Sequence, residues 1–232
     1  MCFSADASFG AAACLLPMGL YSLRQAIRIR PAFVPFALTP IAFGIQQLAE
    51  AFVWRGLNAS PPRSVDGPAA VFLFFAIAWW PFWFPFSAAF AAPTPQRRLP
   101  FVLFTILSTL WFILGYLPAF DDPGQYLTAT IVRHSIRYPY ADQIILGHGR
   151  RLLIVALYLF FTTCPLLLLS ARVFLGPVLL AIGSAIISTI MVVYAFTSVW
   201  CFFAAILSAY CTFFFHGLKP PRPPVIANEA KP

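Results

Sequence analysis

The chain has 232 residues, of which 61% are hydrophobic and only 9% are charged. Soluble domains carry about 25% charged residues, so this composition excludes an ordinary water-exposed surface and predicts a protein surrounded mostly by lipid. The net charge of +8 does not indicate a nucleic-acid partner. The basic residues stand in small groups between apolar runs, where such residues set membrane topology and contact anionic headgroups. The expected partner is therefore the lipid bilayer.

The apolar runs predict an all-α fold, a polytopic transmembrane helical bundle with about seven spans, within a range of six to eight. A span takes about 20 apolar residues, so these spans and short loops form a single transmembrane domain over residues 1–217. The predicted spans cover residues 7–23, 31–54, 70–91, 101–117, 152–171, 174–195 and 198–216. The proline-rich tail, residues 218–232, is expected to be disordered and cytoplasmic.

Two segments between the ends of the chain have unusual local sequences. The third span contains WWPFWFP at residues 79–85, and its two prolines predict a kink or local unwinding. Such a break is tolerated where neighbouring helices satisfy the freed carbonyl groups. The one long loop runs from Asp121 to Arg151, and the β-branched residues at its centre, residues 127–138, predict a hairpin or a surface cap.

The distribution of basic residues favours an amino terminus outside and a carboxyl terminus in the cytoplasm. In this orientation the inner segments carry Arg24, Arg28, Arg30, Arg97, Arg98, Arg172, Lys219, Arg222 and Lys231. The outer loops carry Arg55, Arg63, Arg133, Arg137, Arg150 and Arg151. Four of the outer arginines lie in the long loop, so the bias is clearest for the short loops.

Distinctive short segments are spread along the chain. It opens with MCFSADASF at residues 1–9, continues with QQLAEAFVW at residues 46–54, and carries SVWCFFA at residues 198–204. These segments resemble an uncharacterised family of multi-pass membrane proteins that begin MCFSA-x-ASF and contain QQ-x-x-E-x-x-x-W and SVWCFFA. Ala51 departs from the pattern, in which glycine follows the glutamate. The resemblance implies a membrane architecture and names no reaction.

The predicted topology brings polar residues of these segments to the outer membrane face. Glu50 is the one charged residue well inside an apolar run, and Gln46 and Gln47 share its helical face. An acidic group costs roughly 2.5–3.5 kcal/mol at the bilayer centre, so Glu50 indicates a metal ligand, a proton acceptor or a polar tie between helices. The alternative is that it reaches interfacial water or bonds to a neighbouring helix. A polar pocket is expected at the outer ends of spans one, two and seven, beneath the long loop. The candidate residues are Glu50, Gln46, Gln47, Cys2, Ser4, His134, Trp200 and Cys201.

The chemistry of this pocket has several alternatives. Cys2 and Cys201 are buried thiols, a disulfide, or metal ligands. Glu50, His134 and Cys201 are the metal-ligand candidates, since sets of Cys, His and Glu bind zinc or iron. No spacing in the sequence is diagnostic of a metal, and no cofactor motif is evident.

Three functions are consistent with the sequence. The favoured one is the handling of a small molecule or an ion at a site that includes Glu50. The first alternative is an outer-face enzyme that depends on a metal or on redox chemistry. The second alternative is a structural or assembly partner of a membrane complex. The sequence does not distinguish a homo-oligomer from an assembly with another membrane protein.

Reporter fusions test the predicted orientation. Green fluorescent protein fused after Pro232 should fluoresce in a bacterial host, and alkaline phosphatase at the same place should be inactive, because the tail is predicted to be cytoplasmic. The same reporters fused after residue 142, in the long loop, should give the opposite result. The reverse pattern at both positions would invert the predicted orientation.

Overall fold

The computed structural model describes residues 4–132, 134–141, 151–191 and 196–217, without the side chains of residues 151–152, 171, 188–191 and 196–205. It confirms the all-α fold, since helices form almost all of the described chain. The α-helices are α1 (Ala5–Ile29), α2 (Val34–Ala37), α3 (Thr39–Leu57), α4 (Asp66–Leu73), α5 (Trp80–Ala91), α6 (Pro95–Gly115), α7 (Pro123–Tyr126), α8 (Arg151–Met191) and α9 (Phe196–His216). Short 3₁₀ turns lie at Pro31–Phe33 and Leu117–Phe120, a π-helical segment lies at Phe74–Trp79, and two strands form one hairpin.

Four helical stretches in the described residues are long and apolar enough to cross a membrane. They are Pro31–Leu57, Asp66–Ala91, Pro95–Phe120 and Leu153–Ser170. These stretches identify a membrane protein and overlap the second to fifth predicted spans. The predicted sixth and seventh spans overlap the shorter apolar helices Arg172–Ile187 and Ile206–His216. The first predicted span lies in α1, which is not one of the four, so the count of about seven stays a prediction.

Helix α8 is broken where the sequence predicts the end of one span and the start of the next. Ser170 has φ −164° and ψ 96°, which is not helical. The break separates the helix into two halves, with Arg172 exposed just after it. The tail at residues 218–232 lies outside the described residues, and its predicted disorder stays a prediction.

Helices α1 and α3 pack closely along a line of small residues. A Cβ atom placed on Gly19 would lie 2.7 Å from the backbone nitrogen of Ile41, and one on Gly44 would lie 2.8 Å from Cδ2 of Leu16. Small residues allow such contacts between helices in lipid, where association depends on close packing rather than on the hydrophobic effect. A hydrogen-bonded contact between Ser22 Oγ and Thr212 Oγ1, at 3.3 Å, joins α1 to α9.

The predicted unwinding in the third span is confirmed, and its cause is visible. The π-helical segment Phe74–Trp79 ends just before Pro81, a residue with no N–H to donate to the carbonyl of Ile77, four residues earlier. Trp111 of α6 donates its indole N–H to that carbonyl oxygen at 3.0 Å. The neighbouring helix thus satisfies the freed backbone group, as a segment in lipid requires.

The long loop forms a cap over one end of the bundle. Strands β1 (Thr130–Val132) and β2 (Ser135–Arg137) pair antiparallel, with Ile131 opposite Ile136, which confirms the predicted hairpin. Ile136 is buried, and the buried Tyr138 ring stacks on Phe72 with centroids 4.6 Å apart. We call the end covered by residues 117–141 the capped end. The opposite end carries the exposed Arg28, Arg30, Arg97, Arg98 and Arg172, and we call it the basic end.

Glycine replacement tests the α1–α3 packing. Gly19→Ala should destabilise the protein by about 1–3 kcal/mol, the usual cost of overpacking, because the added methyl group meets backbone at Ile41. Gly10→Ala is the matched control in the same helix, since nothing lies within 4 Å of a Cβ there. It should be neutral or slightly stabilising. Thermal unfolding in detergent measures both, and equal melting temperatures would contradict the close contact.

Candidate functional site

Glu50 lies in α3, two turns from its carboxyl end, and is completely buried. The side-chain amide of Gln47, one turn earlier, donates through Nε2 to Glu50 Oε2 at 3.3 Å. Gln47 is also buried, at 1% exposure. A hydrogen bond from an amide stabilises a carboxylate that is removed from water, because the charged oxygen keeps a donor. The two residues therefore act as one polar unit inside an apolar helix.

Gln46 is directed to a different neighbour. Its Oε1 accepts a hydrogen bond from Trp80 Nε1 at 3.0 Å, and the Trp80 ring stacks on Phe43 with centroids 3.7 Å apart. About two turns earlier in α3, on the same seam, Thr39 Oγ1 accepts a hydrogen bond from Trp83 Nε1 at 3.3 Å. Gln46 and Thr39 thus supply the acceptors that the buried indole groups of α5 need. The sequence predicts that Gln46 and Gln47 share one helical face with Glu50. In the structure Gln47 donates to Glu50, whereas Gln46 joins α3 to α5.

Three further polar atoms around the Glu50–Gln47 unit are buried and have no hydrogen-bond partner among the described residues. They are Gln47 Oε1, Ser8 Oγ and Trp54 Nε1. Ser8 belongs to α1, and the contact of Phe9 with Phe52, at 5.6 Å between ring centroids, places it level with the last turns of α3. Buried polar atoms are nearly always hydrogen-bonded in folded proteins, so three of them within two turns of α3 and the facing part of α1 are candidates for contact with a polar molecule.

The elements that carry the candidate residues are neighbours. Helices α1, α3 and α9 contact one another, and β2 contacts α9. The cap residues Leu127 and Ile136 belong to the same buried cluster as Val53 and Trp54, at the end of α3. The cap thus covers the end of α3 that contains Glu50. Burial raises the pKa of Tyr140 in the cap, with smaller contributions from Tyr126 and Asp121.

The other predicted site residues have separate positions. Ser4 caps the amino end of α1, where its Oγ accepts a hydrogen bond from the backbone N–H of Ala7 at 3.2 Å. His134 is exposed at the hairpin turn, with φ 63°. Cys2 and the side chains of Trp200 and Cys201 lie outside the described residues. No group of three or more His, Cys, Asp or Glu residues that would hold a metal ion occurs in the part of the chain that the structure describes.

Two of the residues at this level, Ser8 and Trp54, were not candidates from the sequence. From the sequence, Trp54 is interpreted as a tryptophan at the membrane interface. Ser8 is interpreted as a polar residue near the start of a helix. One weak signal existed for Ser8. It stands four residues before the buried Ala12 and eleven before Gly19, so helical spacing places it on the face of α1 that packs against α3.

The chain belongs to a family of unknown function, DUF6629, whose model matches residues 1–224. This match confirms the membership of an uncharacterised family that the opening, central and late segments indicate. No curated protein and no solved structure matches the chain. The family brings no activity, so the functional argument depends on the geometry of the chain itself.

A double-mutant cycle tests the Gln46–Trp80 hydrogen bond. Gln46→Leu should destabilise the protein by about 1–3 kcal/mol, because it leaves the buried indole N–H without its acceptor. The same change should cost clearly less in a Trp80→Phe background, where no donor remains to be satisfied. Gln25→Leu, at a half-buried position outside this seam, is the control. Unfolding in detergent measures the destabilisation by Gln46→Leu in each background. Equal values in the two backgrounds would show that the bond contributes nothing.

Proposed function

We propose that this protein is a multi-pass membrane protein that handles a small polar molecule or a cation at a site around Glu50 and Gln47, near the outer membrane face. The observation that carries the proposal is the completely buried Glu50–Gln47 unit beside three buried polar atoms that have no partner among the described residues. The orientation and the seven spans are part of the proposal.

The chemistry of the site supports a ligand that donates hydrogen bonds or carries positive charge. Glu50 contributes carboxylate oxygens, Gln47 Oε1 contributes a carbonyl oxygen, and Ser8 contributes a hydroxyl group. All of these oxygens accept hydrogen bonds, and the Ser8 hydroxyl also donates one. A carboxylate in an apolar layer is stabilised by a cationic or strongly donating partner. Trp54 Nε1 adds one donor, which a ligand with an acceptor atom would satisfy.

The position of the site supports access from the capped end. Glu50 lies two turns from the end of α3, at the end that the hairpin covers. The cap is attached to the bundle by its own packing, including the Tyr138–Phe72 stack, and by the hydrogen bond from Tyr140 Oη to the Gly115 carbonyl at 3.2 Å. A covered polar site of this kind excludes bulk water and strengthens electrostatic contacts to a ligand.

A thermal-shift experiment on the full chain in detergent tests the proposal. The probes are sodium, potassium, ammonium, methylammonium and small zwitterionic amino acids, each titrated against the melting temperature. A ligand at a hundred times its dissociation constant stabilises by about 2.7 kcal/mol, which corresponds to roughly 5–10 °C for a chain of this length. Glu50→Gln and Gln47→Leu should abolish that shift.

The controls carry the same chemical changes at exposed or half-buried positions. Asp66→Asn matches Glu50→Gln, and Gln25→Leu matches Gln47→Leu; both should keep the full shift. Absence of a shift with every probe, or a shift that both site variants retain, would overturn the proposal.

Metal analysis of the same samples addresses the first alternative function. Stoichiometric zinc or iron that disappears in Glu50→Ala would favour the metal-dependent or redox enzyme. If neither a solute nor a metal binds and Glu50→Ala unfolds at the same temperature as the wild type, the assembly-partner alternative is favoured.

A further inference from the structure

An apolar cavity lies in the half of the bundle toward the basic end, away from Glu50. Its volume is ≈ 80 Å³, and it is enclosed by residues 33–43, α5, both halves of α8, and α9. Phe36, Leu166, Val178 and Phe215 are among its walls and are buried. Neither Glu50 nor Gln47 lines it, so this cavity is separate from the polar site.

Three of the polar side chains in the cavity wall donate hydrogen bonds to backbone carbonyl groups. The Thr162 and Thr163 hydroxyls donate to the backbone carbonyls of Tyr158, at 2.9 Å, and Leu159, at 2.7 Å. The Tyr210 hydroxyl donates to the Val173 carbonyl at 3.0 Å. With their protons used in this way, these side chains present mainly carbon to the cavity. Cavities of this kind stay dry and take apolar molecules.

Aromatic rings and a cation lie together at the basic end of the cavity. Phe33 and Phe214 have ring centroids 6.1 Å apart, and Phe36 and Phe174 have centroids 5.3 Å apart. All four rings line the cavity. The guanidinium carbon of the exposed Arg30 lies 5.9 Å from the Phe33 centroid. A positive charge therefore stands beside an apolar wall that leads into the bundle.

We propose that this cavity binds the part of a hydrocarbon chain nearest the acidic head group of an anionic amphiphile, with the head group at Arg30. An apolar cavity of about 150 Å³ holds a benzene ring, so the ≈ 80 Å³ here holds only a short segment of the chain, and the rest of a long chain lies outside it. The basic end supplies the complementary charge, since basic residues near a membrane surface attract anionic head groups. A fatty acid and an anionic phospholipid share this chemistry.

Photolabelling of the full chain in detergent tests the inference. Palmitate with a photoactivatable diazirine on its chain is the probe, and labelled residues are mapped by mass spectrometry. The inference expects labels on the cavity-lining parts of α8 and α9, such as Leu166, Val178 and Phe215. Labels only on lipid-facing residues, such as Leu107 and Leu114 of α6, would overturn it.

Competition distinguishes the two sources of the chain. Displacement of the probe by unlabelled palmitate alone identifies a fatty-acid site, and displacement by phosphatidylglycerol identifies a phospholipid site. Phosphatidylcholine, which has no net charge, should compete poorly. Equal competition by phosphatidylcholine and phosphatidylglycerol would overturn the assignment of an anionic head group.

Matched variants test the chain and head-group positions separately. Val178→Phe fills the cavity and should lower labelling about tenfold, whereas Leu168→Phe, on the same helix at an exposed position, should leave labelling unchanged. Arg30→Gln should weaken probe binding about fivefold, and Arg28→Gln, in the same exposed turn, should not. Unchanged labelling in Val178→Phe would overturn the inference. The wild-type label map decides the question independently if Val178→Phe does not fold.

Discussion

A helix that crosses a lipid layer has no water to satisfy its polar groups, so each such group must find its partner within the protein. In this bundle, a side chain of one helix supplies the hydrogen-bond partner that a backbone or side-chain group of a neighbouring helix lacks. Pro81 removes a backbone donor, and Trp111 supplies another to the Ile77 carbonyl at 3.0 Å. The same contact gives the N–H of the half-buried Trp111 its acceptor. Between α3 and α5, Gln46 supplies the acceptor for the buried N–H of Trp80. Packing of the helices therefore depends on matched donors and acceptors as well as on shape.

A buried polar atom that has no partner within the protein therefore requires an explanation. The described residues have several unpartnered buried polar atoms, and three of them are Ser8 Oγ, Gln47 Oε1 and Trp54 Nε1. Gln47 and Trp54 lie about one turn from Glu50, on either side of it in α3. Another, Ser87 Oγ, lies in α5. A single unpartnered group of this kind costs about 1–3 kcal/mol. A set of acceptors and a donor around a buried carboxylate is the arrangement that a polar ligand would satisfy.

The sequence predicts the helices well because the apolar runs, the prolines and the positions of arginines act locally. It also predicts the unwinding before Pro81, since a missing N–H is a property of one residue. It does not predict that Trp111 is the partner of Ile77, because that contact joins two helices. Gln46 and Gln47 illustrate the same limit, since adjacent residues on a helix are about 100° apart and meet different neighbours. The cavity at the basic end depends on several elements together and leaves no pattern in the sequence.

The two halves of the bundle differ in the molecules they would accept. From Glu50 toward the basic end, the α3–α5 seam carries two paired polar contacts, Trp80 with Gln46 and Trp83 with Thr39. The Trp80 ring with Phe43 forms part of the wall of the apolar cavity. Beyond this ring, the hydroxyls of Thr162 and Thr163 donate to the carbonyls of their own helix. A polar solute would lose its hydrogen bonds on passing this level, at a cost of several kcal/mol. A route for a polar solute from Glu50 toward the basic end is therefore unfavourable in this conformation, so the proposed site would bind its ligand from the capped end rather than pass it through the membrane.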